Sequence, residues 1–233
     1  MSHCKYIEME NRCELCVYRS DAAKTLDEKD QELLSCNHLT VSFKKGDNVI
    51  KQGHYSSNVI YLRKGLAKIH TQGPYREQII KLVKAPHYLG LPTTFGDKIN
   101  QYSVSVVEDS EVCFIDMGTF QKLLGSNSRF SNEIILRLCR DELDSYRKCA
   151  NRTQKQTRGN MADVLLEFAD YFYESDVFDL PVSRDEIGNL IDTSRESVSR
   201  ILTEFANDGI IRINGKKIEI LNKKLLSLIR ENG

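Results

Sequence analysis

Residues 182–202, VSRDEIGNLIDTSRESVSRIL, constrain the fold of this chain more than any other stretch. Val182, Ile187, Leu190, Ile191, Val198, Ile201 and Leu202 recur at helical spacing, which predicts two short helices packed together. Ser183 and Asp192-Thr193 supply N-cap chemistry at the two starts. The second helix carries Arg195, Glu196, Ser199 and Arg200 on a face without large apolar groups. Such a helix suits the DNA major groove, where arginine grips guanine O6 and N7 and glutamate accepts from cytosine N4. Ser183 and Ser194, at the helix starts, join these four as candidate DNA contacts. The bland alternative is a helix pair whose charges are solvated surface or touch only phosphates.

A chain of 233 residues can hold two modest domains. The formal net charge is zero, which excludes a globally basic nucleic-acid coat. A local patch is still available from Arg195, Arg200, Arg212, Lys216, Lys217, Lys223 and Lys224. No apolar run approaches the ~18 residues of a membrane span, and the start, MSHCKYIEMENRCELC, lacks a signal-peptide core. The expectation is a cytoplasmic protein without a membrane partner, its seven cysteines reduced or metal-bound rather than in disulfides.

Upstream the pattern changes several times. Residues 1–20 are polar and cysteine-bearing, and LDEKDQELLSCN (26–37) predicts a short amphipathic helix. From Leu39 to about Met117, short alternating or β-branched runs are broken by Gly46, Gly53, Gly65, Gly73-Pro74, Gly90 and Gly96. That spacing predicts a barrel or jelly roll. Helix resumes at Thr119–Leu124, and Phe130 to about Thr153 contains neither proline nor glycine. There Ile135, Cys139, Glu142, Tyr146, Cys149 and Thr153 fall at alternating steps of four and three, a heptad seam that predicts self-association. Met161–Tyr173 reads as another amphipathic helix, and IIRINGKKIEIL as a hairpin turning at Asn214-Gly215.

The order roll, long helix, helix pair and hairpin resembles the CRP/FNR family of bacterial transcription regulators. Two blocks carry the resemblance: VSRDEIGNLIDTSRESVSRIL with DGIIRINGKKIEI, and F-x-x-G-D…I-x-Q-G…IYLRKGLAKI from Phe43 to Ile69. It implies an α+β chain with three parts. Residues 1–118 would be a cysteine-bearing lobe plus a double-stranded β-helix, a jelly roll like that of cyclic-nucleotide-binding domains. Residues 119–156 would hold the dimerisation helix, and 157–233 a winged helix-turn-helix. The resemblance implies a homodimeric activator, not an enzyme, acting with RNA polymerase on a palindromic site. It places Arg195, Glu196, Ser199 and Arg200 at the base-reading positions. Asp192 departs from the family's glycine between the two helices, but aspartate tolerates a left-handed turn better than most residues.

The signal is less legible. In the CRP branch an Arg-Ser pair holds the phosphate of cyclic AMP, whereas this chain has Gln101-Tyr102-Ser103 and no glutamate after Gly90. A buried phosphodiester would lack its charge partner, which argues against cyclic AMP. The FNR branch carries an oxygen-labile 4Fe–4S cluster on three N-terminal cysteines and one roll cysteine. By that resemblance Cys4, Cys13, Cys16 and Cys113 are the candidate ligands, with Cys36 as a substitute. The family's third cysteine, shortly after the C-x-x-C, is missing; Asp21 to Ala23 occupy that region. Other readings stay open. Cys13-x-x-Cys16 could bind zinc or oxidise as a thiol pair, and Cys113 could be a small core residue. Haem or another small ligand could be the signal, with His54, His70 and His87 read as surface histidines. A nucleotide-binding or protein-docking module without DNA binding is the remaining class.

Overall fold

The computed structural model describes residues 12–233, so Cys4 lies outside the described residues. The chain is α+β and divides into two units. One runs through Gln72 and resumes over Ile80–Glu142; the other comprises Gly73–Ile79 and Leu143–Gly233.

In the first unit a single turn at Cys13–Leu15, α1 (Asp21–Lys24) and α2 (Glu28–Cys36) precede the roll. Asp27 caps α2 by accepting from Asp30 N–H, as its place before the helix predicts. The strands are β1 (His38–Phe43), β2 (Asn48–Ile50), β3 (Asn58–Lys64), β4 (Leu66–Gln72), β5 (Glu77–Lys84), β6 (His87–Leu89), β7 (Ser103–Val106) and β8 (Ser110–Asp116). They form two four-stranded sheets, ordered β1-β8-β3-β6 and β2-β7-β4-β5. β6 and the short α3 (Leu91–Phe95) after it were not predicted. All three β6 residues are buried, so no alternation marks the strand.

The β1-β8-β3 sheet has two apolar faces because its residues alternate. Ile60, Leu62 and Val112 point into the roll with Ile69, Val104 and Val106. Val59, Tyr61, Cys113 and Ile115 point outward, beneath Ala22, Ala23, Leu26 and Leu34 of the N-terminal helices. The same outer cluster takes in Phe120 of α4 (Met117–Ser126) and Phe130 of α5 (Ser128–Gln154). Phe120 is fully buried, its ring 5.3 Å from that of Phe130 and 5.8 Å from that of Tyr88. Burying such a ring contributes about 1.5–3 kcal/mol.

The second unit continues with α6 (Thr157–Glu167), β9 (Val177–Asp179), α7 (Arg184–Ile191), α8 (Arg195–Asn207), β10 (Ile211–Asn214), β11 (Lys217–Ile220) and α9 (Lys223–Asn232). Over Met161–Tyr173, Met161, Ala162, Val164, Leu165, Leu166, Phe168 and Ala169 are buried, while half-buried Asp163 and Glu167 and exposed Asp170 and Tyr171 recur at helical spacing on the opposite face. The last turn of this segment widens to π geometry at Phe168–Phe172, where Tyr173 N–H donates to Phe168 C=O. The hairpin register is corrected. Asn214 pairs with Lys217, which leaves Gly215-Lys216 as the loop, with φ +62° at Gly215. Glycine as the first central residue is the pattern of a II′ turn. β9, which joins the hairpin as a third strand, is too short to show a period.

Candidate nucleic-acid interface and thiol pocket

Local chemistry sets the α7–α8 pair. Ser183 and Glu186 form a reciprocal capping box at the start of α7: the Ser183 hydroxyl accepts from Glu186 N–H, and the Glu186 carboxylate accepts from Ser183 N–H. Asp192 takes the left-handed conformation at φ +57°, ψ +49°, so the turn survives without glycine. The N-cap of α8 is Ser194, accepting from Ser197 N–H, rather than Asp192-Thr193; Asp192 instead closes α7. Gly188 allows the close approach, since a Cβ there would stand 2.8 Å from Thr193 C=O. Also in this unit, Arg76 pairs with Asp192 and donates to Thr193 C=O at 3.0 Å.

On α8, Val198, Ile201, Leu202 and Phe205 are buried while Arg195, Glu196 and Arg200 stand exposed and Ser199 is half-buried. Arg195 lies 3.7 Å from Asp185, Arg200 is 2.8 Å from Glu204, and Arg184 donates to Ser199 Oγ at 3.2 Å. Exposed pairs of this kind are worth about 0–1 kcal/mol, so exchanging them for base or phosphate contacts costs little. Glu196 is held ionised below the usual carboxylate range by its own backbone N–H and the Ser194 hydroxyl at the helix start.

The second site is a pocket against the outer face of the β1-β8-β3 sheet. Cys13, Cys16 and Cys113 all line it, together with His38, Thr40, Tyr61 and Tyr88. Strand pairing explains the assembly. Cys113 faces Thr40 on one side and Tyr61 on the other, so all three share one face. The turn at Cys13–Leu15 is anchored by Cys13 N–H donating to Ser35 Oγ, and Cys13 Sγ lies 3.7 Å from His38 Nδ1. Burial pushes the Cys13 thiol up to about 11, with the neighbouring Cys113 and Cys16 adding to the shift. Burial likewise raises Cys113 and lowers His38, so the imidazole is kept neutral. Arg12, Arg19 and Arg63 also line the pocket, and among the described residues no Asp or Glu does.

Among the described residues, no group of three or more His, Cys, Asp or Glu side chains is placed to hold a single metal ion. Cys36 is disulfide-bonded, which removes it as a substitute thiolate and corrects the expectation that all seven cysteines are reduced or metal-bound. A compartment argument addresses redox poise, but it cannot foresee which sulfurs the fold brings within reach.

The seam positions Ile135, Cys139, Glu142, Tyr146 and Cys149 are all exposed on α5. The acids next to Glu142 in the chain serve elsewhere. Asp141 engages Arg137 and His87, and Asp144 engages Arg147 and Lys148. His87 is therefore no surface histidine: it is buried and held by Arg137 as well as Asp141. His70 is half-buried and bonded to Ser105; His54 is exposed.

Residues 160–229 match the Crp-like helix-turn-helix domain, and residues 40–127 match the cyclic nucleotide-binding domain. The chain belongs to the CRP/FNR family. It is a CRP/FNR-type transcription regulator with a helix-turn-helix DNA-binding domain. It is similar to the transcriptional activator protein FnrA of Stutzerimonas stutzeri, 24% identical over 95% of this chain and 89% of that one. Electron transport regulator A of Shewanella oneidensis is also 24% identical, over 94% and 87%. The fold is shared with FixK2 from Bradyrhizobium japonicum, at TM-score 0.75 and 18% identity over 82% of this chain and 96% of that one. A crp/fnr-family regulator from Eubacterium rectale matches at the same TM-score, 16% identical over 91% and 99%.

Sequence reasoning missed His38, Arg12, Arg19 and Arg63 as pocket residues of this CRP/FNR chain. A signal was present. Period-two alternation in β1 and β3 puts His38 with Thr40, and Arg63 with Tyr61, on the Cys113 face once those strands are known to flank β8.

Proposed function

We propose that this chain is a homodimeric, sequence-specific activator of transcription, working in the cytoplasm with RNA polymerase on a palindromic site, and controlled by an oxygen-labile 4Fe–4S cluster. The single observation that carries the signal is that Cys13 and Cys16 line one pocket with Cys113, which is distant from them in sequence. The donor set fits the group. Thiolates of a cluster bind separate irons, so they need not converge on one ion, and three arginines suit an anionic ligand. Cys13, Cys16 and Cys113 would hold the cluster; Cys4, the remaining candidate by family resemblance, lies outside the described residues.

When bound, the cluster supplies a redox-active, oxygen-labile centre. The chain's own residues do the rest. Cys13 and Cys113 hold their protons at neutral pH, so ligation releases them and loading is favoured as pH rises. Tyr88, bonded to Ser20, and Tyr61, donating to Tyr18 C=O at 2.6 Å, tie the N-terminal segment to the sheet. Ile135, Cys139, Glu142, Tyr146 and Cys149 would face a second copy, where paired Glu142 carboxylates repel and weaken the dimer until the signal arrives. On DNA, Arg195, Glu196, Ser199 and Arg200 would read bases while Ser183 and Ser194 lie near phosphates. Cyclic AMP remains disfavoured, because half-buried Tyr102 stands next to Ser103 where the arginine would be.

The test is anaerobic purification with iron and sulfide analysis and a gel shift, comparing the wild type with Cys13→Ala and Cys113→Ala. Brown wild-type protein that binds DNA, with loss of iron and of binding in both variants, is the expected result. Colourless, iron-free protein after anaerobic reconstitution would sink the cluster and favour another ligand or thiol oxidation.

A further inference from the structure

Arg63 occupies an irregular position in β3. The β3–β8 register shifts between Leu62 and Lys64, so Arg63 is the extra residue of a bulge, a device that re-aims a side chain. Its guanidinium is held from two sides: Nη1 lies 3.6 Å from Glu111 Oε2, and the carbon of the group stands 5.7 Å from the Tyr18 ring centroid. The side chain is only 18% exposed. Its Nε is fully buried and has no hydrogen-bond partner among the described residues. A charged donor left unmatched in a dry place is costly, and chains that keep one generally use it. Arg63 lines the same pocket as Cys113.

We propose that Arg63 is a positioning residue whose Nε–H donates to anionic sulfur at the thiol pocket and biases the bound cluster toward its reduced state. This rests on the cluster reading given under Proposed function. The reduced form holds one more electron, and so one more negative charge, than the oxidised form. A cation with a hydrogen bond to sulfur stabilises the more negative form and raises the reduction potential. Arg12 also lines the pocket, but its side chain is 52% exposed and pairs with Glu14 at 3.4 Å, so its charge is screened.

The experiment compares wild type, Arg63→Gln, Arg63→Lys and Arg12→Gln, each full-length and anaerobically reconstituted. Iron and sulfide per chain are measured first, then the midpoint potential in a reductive titration with dithionite as electron donor. Arg63→Gln is expected to shift the equilibrium roughly tenfold toward the oxidised form, about 59 mV downward for a one-electron couple. Arg63→Lys, which keeps the charge without Nε–H, falls between, and Arg12→Gln shifts far less. A potential unchanged in Arg63→Gln, or an equal shift in Arg12→Gln, overturns the proposal while leaving the cluster reading intact. Wild-type protein without iron or sulfide overturns both. An Arg63→Gln chain that melts like wild type yet no longer retains iron supports the donor's role. Should that variant not fold, Arg63→Lys decides: a lowered potential supports the proposal and an unchanged one removes it.

Discussion

Arg195 and Arg200 stand 63% and 65% exposed on α8, each paired to a surface carboxylate on its own or the preceding helix. Cys113 is buried and Cys13 half-buried, in a pocket assembled from an N-terminal turn, two short helices and four strands. One region keeps its chemistry on the outside of a short, locally determined motif. The other makes its chemistry by bringing together residues up to a hundred positions apart. The difference predicts that the two regions fail differently: the first loses partners without losing its fold, while the second changes reactivity whenever its packing changes.

The strongest test of that separation lies in the cores. Phe120→Ala and Phe205→Ala, both at fully buried rings, should each cost about 3–5 kcal/mol in the unit that contains them. Denaturant unfolding followed with a probe in each unit reads this. If Phe120→Ala weakens both units equally, the comparison between two separate regions breaks down. Next in size, Arg195→Ala and Arg200→Ala should each lose about 1–3 kcal/mol of specific DNA binding in fluorescence anisotropy, with melting temperature unchanged. Loss of stability rather than affinity would mean the pairs with Asp185 and Glu204 hold the fold together.

A third test concerns the thiols. Because burial holds Cys13 near 11, the thiolate is scarce at pH 8, and iodoacetamide should modify it roughly tenfold more slowly than exposed Cys139 and Cys149. Its rate should climb with pH up to about 11, and mass spectrometry of peptides from a pH series measures both. Equal rates at pH 8 would show that the pocket opens readily in solution. The smallest effect expected is Ser183→Ala, which removes one half of the capping box and should cost about 1 kcal/mol in thermal melts.

Much of the fold was readable because its signals are local. Ser183 with Glu186 announces a helix start, and the spacing from Ile187 to Leu202 announces a packed pair. Asp192 in the left-handed turn followed from the family's glycine at that place together with the tolerance of a short polar side chain. The misreadings have two causes: the α8 cap and the hairpin register were set by turn geometry over one or two residues, whereas other errors depended on neighbours distant in sequence. His87 looked like a surface residue until Asp141 and Arg137, some fifty positions on, met it.

The sequence by itself determined the helix pair, the Ser183 cap, the glycine-punctuated strands and the exposed reading face, because hydrogen bonding within a few residues and the 3.6- and 2-residue periods decide them. Only the tertiary structure decided that Cys13, Cys16 and Cys113 share a pocket, that His38 and three arginines line it, and that Arg63 Nε is buried with no hydrogen-bond partner among the described residues. The physical reason is that strand pairing is non-local. Nothing near Cys113 in the chain states that β1 and β3 will flank it, and the chemistry of the pocket exists only once they do.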